Sequence, residues 1–243
     1  MSIIMSRYFC HAFPEILSLE TAVVAARPGA VLLDRSPFHP GGGGQLADRG
    51  QLRWTGGEVA VTGFEATRNG TWHLLAQPLE LSGTVELAVD PAFRTMMSQL
   101  HTATHILNAL VYQHFNGALV TSAQMNDDST ARMDFDLPDA DNDRLRALEP
   151  EINDVIRQDI PITDSEVALT EAQRVHGLIR SRSVAPPPTP DGMIRIVEII
   201  GLDRQACGGT HIASSGTCPA IRIPKVDNKG RHNRRVRIGR VST

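Results

Sequence analysis

The hydrophobic rhythm of the chain changes near residue 90. Before that point, short β-rich runs alternate with turn residues, at 30–34, 51–54, 58–62, 72–75 and 83–89. Evenly spaced short strands bounded by Gly, Pro, Asn and Asp predict a small barrel or sandwich. After Asp90-Pro91 the spacing becomes helical, with Arg94, Met96, Met97 and Leu100 leading into 101–111, a stretch free of Gly and Pro and rich in helix formers. The domain boundary is placed there, giving 1–92 and 93–243.

The second part mixes both periodicities. Residues 118–124 and 131–137 predict a strand pair around the polar turn 126–130. A helix is expected over 141–158, burying Leu145, Leu148, Ile152, Val155 and Ile156, with Pro150 as a candidate kink. The proline-rich stretch 184–190 predicts a stiff connector before a strand at 193–199. Closing strands at 220–226 and 234–241 flank the turn 227–230. The fold class is α+β.

Composition adds a few exclusions. A chain of 243 residues with 41% hydrophobic content can bury one generous core or two modest ones. A net charge of −3 names no partner. Three cysteines, at 10, 207 and 218, argue against a disulfide framework. The first seven residues lack the apolar core and cleavage site of a signal peptide, and no apolar run approaches the ~20 residues needed to cross a bilayer. A cytoplasmic protein outside the membrane is expected.

The chemistry concentrates in two short motifs. His101-Thr-Ala-Thr-His105 places two imidazoles one helical turn apart, hence on one face. Asn108, a turn further on, lies close to that face and is positioned to steady a ligand from behind. Cys207-Gly-Gly-Thr-His211 repeats the spacing, but its paired glycines favour a tight loop over a helix. Either motif alone fits a bland role, a helix surface or an ordinary turn. Together they supply imidazole and thiolate, the ligands zinc prefers, two from each of two distant segments. A zincin protease is disfavoured, because Thr102 stands where that motif needs glutamate.

Two further features are less specific. Residues 39–50 (His-Pro-Gly-Gly-Gly-Gly-Gln-Leu-Ala-Asp-Arg-Gly) contain four glycines that fit either a hairpin loop or amides set around an anion, without the Gly-Lys-Ser/Thr of a P-loop. The tail carries Arg222, Lys225, Lys229, Arg231, Arg234, Arg235, Arg237 and Arg240 against Asp227 alone. Such a run fits a solvated strand face or a phosphate backbone.

Leu100-His-Thr-Ala-Thr-His-Ile-Leu107, followed far downstream by Asp203-Arg-Gln-Ala-Cys-Gly-Gly-Thr-His211, resembles the editing domain of alanyl-tRNA synthetase. The likeness runs through Gly42, Gly43, Gly44 and Gln45, Asp48-Arg-Gly50, Gln124, Arg132-Met-Asp-Phe135 and Lys229-Gly-Arg-His-Asn-Arg-Arg-Val236, and so covers nearly the whole chain. There is no room for an aminoacylation core, and the chain resembles the free-standing AlaX proteins, particularly those of medium length. The resemblance implies a small N-terminal β-barrel followed by an α+β editing domain of the threonyl/alanyl-tRNA synthetase type. It implies one Zn2+ per chain on His101, His105, Cys207 and His211, and hydrolysis of serine, and of glycine in medium-length members, from mischarged alanine tRNA. Gln124 matches an editing-pocket glutamine, and the glycine loop is implied to lie near the site and assist recognition. The run of four glycines after Phe38-His39-Pro40 is a small departure from the family pattern.

The task has a physical logic. An apolar pocket separates amino acids that differ by one hydroxyl only weakly, whereas a site that hydrogen-bonds that hydroxyl rejects the analogue lacking it. Thr102, Thr104, Gln124 and Thr210 are candidates for that contact, Thr102 and Gln124 first. Thr210 also adjoins a ligand, and Arg234 and Arg235 are the leading tRNA contacts. The rival expectation is a non-catalytic, zinc-stabilised tRNA-binding module.

Overall fold

The computed structural model describes residues 8–138, 141–180, 189 and 191–241. By contacts the chain divides into two units: Met1–Gly41 with Leu46–Thr95, and Gly42–Gln45 with Met96–Thr243. The expected connector at 184–190 lies outside the described residues, Thr189 excepted.

The first unit opens with a one-turn helix, α1 (Phe9–Ala12), followed by six strands: β1 (Ser18–Arg27), β2 (Ala30–Leu33), β3 (Gly50–Trp54), β4 (Gly57–Thr67), β5 (Gly70–Leu75) and β6 (Thr84–Val89). They close into a barrel in the order β1-β2-β5-β4-β3-β6, with β6 pairing back onto β1. Closure leaves no sheet edge exposed. Alternation fills the interior: Val85, Leu87 and Val89 of β6 point inward against Val31, Leu52 and Val59. Strand β1 escapes the sequence reading because it buries little beyond Thr21. Its Ser-Leu-Glu-Thr-Ala-Val-Val-Ala-Ala-Arg run keeps its place through pairing to β2 and β6.

Helix α2 (Pro91–His114) is longer than the stretch read from sequence, its first turn capped by Asp90 Oδ1, which accepts from the backbone N–H groups of Ala92 and Phe93. Through the second unit Met97, Leu100, Ile106, Leu107 and Leu110 are fully buried. The unit continues with β7 (Val120–Met125), β8 (Thr130–Asp136), α3 (Asn142–Arg146), α4 (Glu149–Arg157), β9 (Ile162–Ala168), α5 (Leu169–Ala172), β10 (Met193–Ile199) and β11 (Asp203–Ala206). Strands β12 (Ile221–Lys229) and β13 (Asn233–Arg240) complete it. Two sheets form, β12-β13-β8-β7 and β11-β10-β9.

Three details depart from the pattern read in sequence. The helix expected at 141–158 is two helices, because Pro150 lacks an N–H to continue α3 and is tolerated only in the first turn of α4. The turn expected at 227–230 falls later, since β12 runs on to Lys229. Strands β9 and β11 are not apparent in the residue pattern: β9 alternates weakly and is half exposed, and β11 is only four residues long.

Candidate metal centre

Helical spacing brings His101 and His105 onto one face of α2, ring centroids 5.2 Å apart. The loop after β11 carries Cys207 and His211 to the same place. The His211 ring lies 4.5 Å from that of His101 and 4.6 Å from that of His105. Cys207 Sγ sits 3.4 Å from His101 Nε2 and 3.3 Å from His211 Nε2. One ligand atom from each of the four residues lies within 4.8 Å of all the others. Gly209 explains the loop's composition: a Cβ there would fall 2.0 Å from His101 Cε1. No side chain fits, and the backbone can close over the imidazole only at glycine.

Behind these four residues stands a set of polar partners, buried apart from the partly exposed Arg180. His101 Nδ1 is 2.8 Å from Gln45 Oε1, which also accepts from the Thr210 backbone N–H at 2.9 Å. Gln45 Nε2 donates to Thr210 Oγ1, which meets Ser98 Oγ at 2.8 Å. Thr102 Oγ1 is 3.1 Å from His211 Nδ1. His105 Nδ1 faces Gln205 Nε2 at 3.0 Å and Asp203 Oδ2 at 3.4 Å; Gln205 is held by Asn108 and Asp203, and Asp203 by Arg180 Nη1 at 2.6 Å. Every histidine thus has its Nδ1 engaged by the protein, which turns Nε2 toward the common centre.

The electrostatics agree with a thiolate. Burial alone pushes the Cys207 thiol up, but its electrostatic interactions with His101, His105 and His211 outweigh it and hold the group well below the ordinary thiol range. Burial pulls His105 down, yet the Cys207 thiolate and Asp203 raise it to about 9. His211 is driven well below its usual value by burial and by its two imidazole neighbours. By contrast, burial pushes the Cys218 thiol up to about 12, which leaves it unreactive. Three imidazoles and a thiolate with converging lone pairs are a donor set that fits zinc.

A cavity of about 50 Å³ opens beside His101 and His105, bounded by Thr104, Asn108, Met125 and Met133. Thr104 Oγ1 donates to the His101 carbonyl at 2.7 Å, which leaves its lone pairs for another donor. Asn108 Oδ1 is buried with no hydrogen-bond partner among the described residues.

The other residues singled out in the sequence are distributed as follows. Gly42, Gly43, Gly44 and Gln45 form a tight hairpin: Gly42 and Gln45 exchange backbone hydrogen bonds, and Gly43 and Gly44 both have positive φ. A Cβ at Gly44 would lie 2.5 Å from the Ala123 carbonyl oxygen. Gln124 is exposed, its amide bonded to Arg132 and Asn126. Arg234 is buried and donates to the Pro138 carbonyl, and Arg235 forms a two-point pair with Asp134 at 2.7 Å. Sequence reading missed Asp203, Gln205 and Arg180. A signal for the first two was present, because Asp203, Gln205 and Cys207 are spaced two apart and therefore share one face of an extended segment.

Barrel and centre together define a class. Residues 194–237 match the family described as the threonyl and alanyl tRNA synthetase second additional domain. The chain is 35% identical to the alanyl-tRNA editing protein AlaX-M of Saccharolobus solfataricus over 91% of this chain and 93% of that protein. It is 32% identical to its counterpart in Methanosarcina acetivorans, covering 85% and 86%. The chain belongs to the AlaX-M family of alanyl-tRNA editing proteins. It is also 32% identical to the alanine--tRNA ligase of Korarchaeum cryptofilum, matching 86% of this chain but spanning only 23% of that ligase.

Proposed function

We propose that this protein hydrolyses the ester joining a wrongly attached small amino acid, serine first and glycine second, to alanine tRNA. The observation that carries the reading is the small cavity beside the His101–His105 face, with the Asn108 Oδ1 acceptor buried and unmatched at its wall. A volume of about 50 Å³ admits a few water molecules or a short side chain. A seryl hydroxyl donating to Asn108 or Thr104 relieves an unsatisfied group. The methyl of alanine does not, at a cost of roughly 1–3 kcal/mol, or about tenfold or more in discrimination.

His101, His105, Cys207 and His211 are the residues that would hold Zn2+. Bound there, the ion would supply positive charge beside the ester carbonyl and favour attack by water. The protein's own work is positioning. Gln45, Thr102 and Asp203 fix the three imidazole planes, and Cys207 serves as a ligand, leaving no side chain in the role of nucleophile. The family name, the second-additional-domain match and the His/Cys cluster support this reading.

The test is the rate of deacylation of seryl-, glycyl- and alanyl-charged alanine tRNA, with and without a chelator, by the native protein and by Thr104→Val and Asn108→Ala variants. Chelator-sensitive loss of serine, with a seryl-to-alanyl preference that falls about tenfold in the variants, is expected. Binding of tRNA without deacylation of any of the three would replace the enzyme with a zinc-stabilised tRNA-binding module.

A further inference from the structure

We propose that Cys10, His11 and His39 form a second metal site, in the barrel unit, for a thiophilic divalent cation such as zinc(II). One ligand atom from each residue lies within 4.8 Å of the other two. All three residues are buried, Cys10 and His39 at 1% exposure and His11 at 6%. Thiol and imidazole are the donors that borderline-soft ions select. An ion bound there would draw the three donor atoms onto bonds of about 2.0–2.3 Å.

The scaffold on both sides is fixed in advance. Cys10 and His11 stand together on α1, with the Tyr8 ring edge-on to His11 at 5.4 Å. The His39 backbone is clamped by Asp48: its N–H donates to Asp48 Oδ2 at 2.6 Å, and its carbonyl accepts from the Asp48 N–H at 2.9 Å. Asp48 is itself held by the buried Arg94 guanidinium, which also donates to the Pro37 carbonyl at 2.7 Å. A ligand whose main chain is pinned at both ends loses little entropy on binding. Uptake breaks the Cys10 S–H bond, releases that proton to solvent and forms the sulfur–metal bond, with no redox change. The bound ion would tie α1 to the Phe38-His39-Pro40 segment and stabilise the barrel by linkage.

The test is metal content by elemental mass spectrometry after loading with excess zinc chloride and removing unbound ion. The native protein is expected to hold two ions per chain, with Cys10→Ser and His39→Gln each holding one. Cobalt(II) supplies a second readout that leaves the barrel untouched. In Cys207→Ser, a thiolate-to-cobalt absorption band is expected, and it should vanish in the Cys10→Ser/Cys207→Ser double variant. One ion in the native protein and no such band in Cys207→Ser would overturn the proposal and leave the three side chains as barrel packing. Because deacylation is not measured, failure here is distinguishable from failure of the editing reading.

Discussion

Gln45 connects two stretches of chain through a single amide. Its Oε1 faces His101 Nδ1 and the Thr210 N–H, and its Nε2 donates to the Thr210 hydroxyl. Gln45→Ala removes all three interactions and leaves buried donors without a partner. The expected result is a 10- to 100-fold weaker hold on zinc, measured by chelator competition, with a stability loss of roughly 1–3 kcal/mol. At this scale the sequence is legible where chemistry restricts residue type. The proposed ligands His101, His105, Cys207 and His211 stand out by spacing, since the side chains that suit zinc are few. The supporting hydrogen bonds do not, because hydrogen bonding is less choosy: Gln45 reads equally well as a loop residue near RNA, and Thr102 as a pocket hydroxyl until His211 Nδ1 is found 3.1 Å away.

Among the elements, the loop between β11 and His211 tolerates little change at Gly209. In Gly209→Ala the new methyl would stand 2.0 Å from the His101 ring, so the loop or the ligand must move. Loss of bound zinc with retention of far-ultraviolet circular dichroism is expected. Strand β5 carries another sensitive group. His73 is buried among Phe38 and Phe64, and burial lowers it from 6.5 to about 4. Between those values the unfolded chain takes up a proton that the native barrel refuses, so stability falls as pH drops from 6.5 toward 4 and is unaffected above 6.5. The loss approaches about 3 kcal/mol. Both tryptophans, Trp54 and Trp72, lie in the barrel strands, so their fluorescence in denaturant titrations at pH 7 and pH 4.5 checks this, with His73→Phe expected to lessen the difference. Elements with strong alternation, such as β6 and β10, could be read from residues alone. Strand β1 could not, because its place depends on pairing more than on a buried face, and the 141–158 helix divided where Pro150 interrupts the hydrogen-bond ladder.

For the whole molecule, a net charge of −3 means that any RNA must be held by a local field. The basic tail is not uniformly available for that purpose. Arg234 and Arg235 are engaged with Pro138 and Asp134, and Asp227 draws Lys225 and Arg237. Arg222, Lys229 and Arg231 are exposed. Replacing these three with alanine is expected to weaken tRNA binding and to reduce the slope of log affinity against log salt by about 0.7–0.9 for every phosphate no longer neutralised, with seryl-ester turnover at saturating tRNA retained. Replacing Arg235 should instead lower thermal stability by removing the two-point partner of Asp134. Finally, the second unit is not one continuous stretch of sequence: Gly42–Gln45 belong to it although their neighbours on both sides belong to the barrel unit. A gene fragment beginning at residue 96 would encode every proposed zinc ligand and omit the amide that meets one of them. Recombination that moved the C-terminal portion alone would therefore pass on an impaired centre, a constraint that favours inheritance of the two portions as a pair.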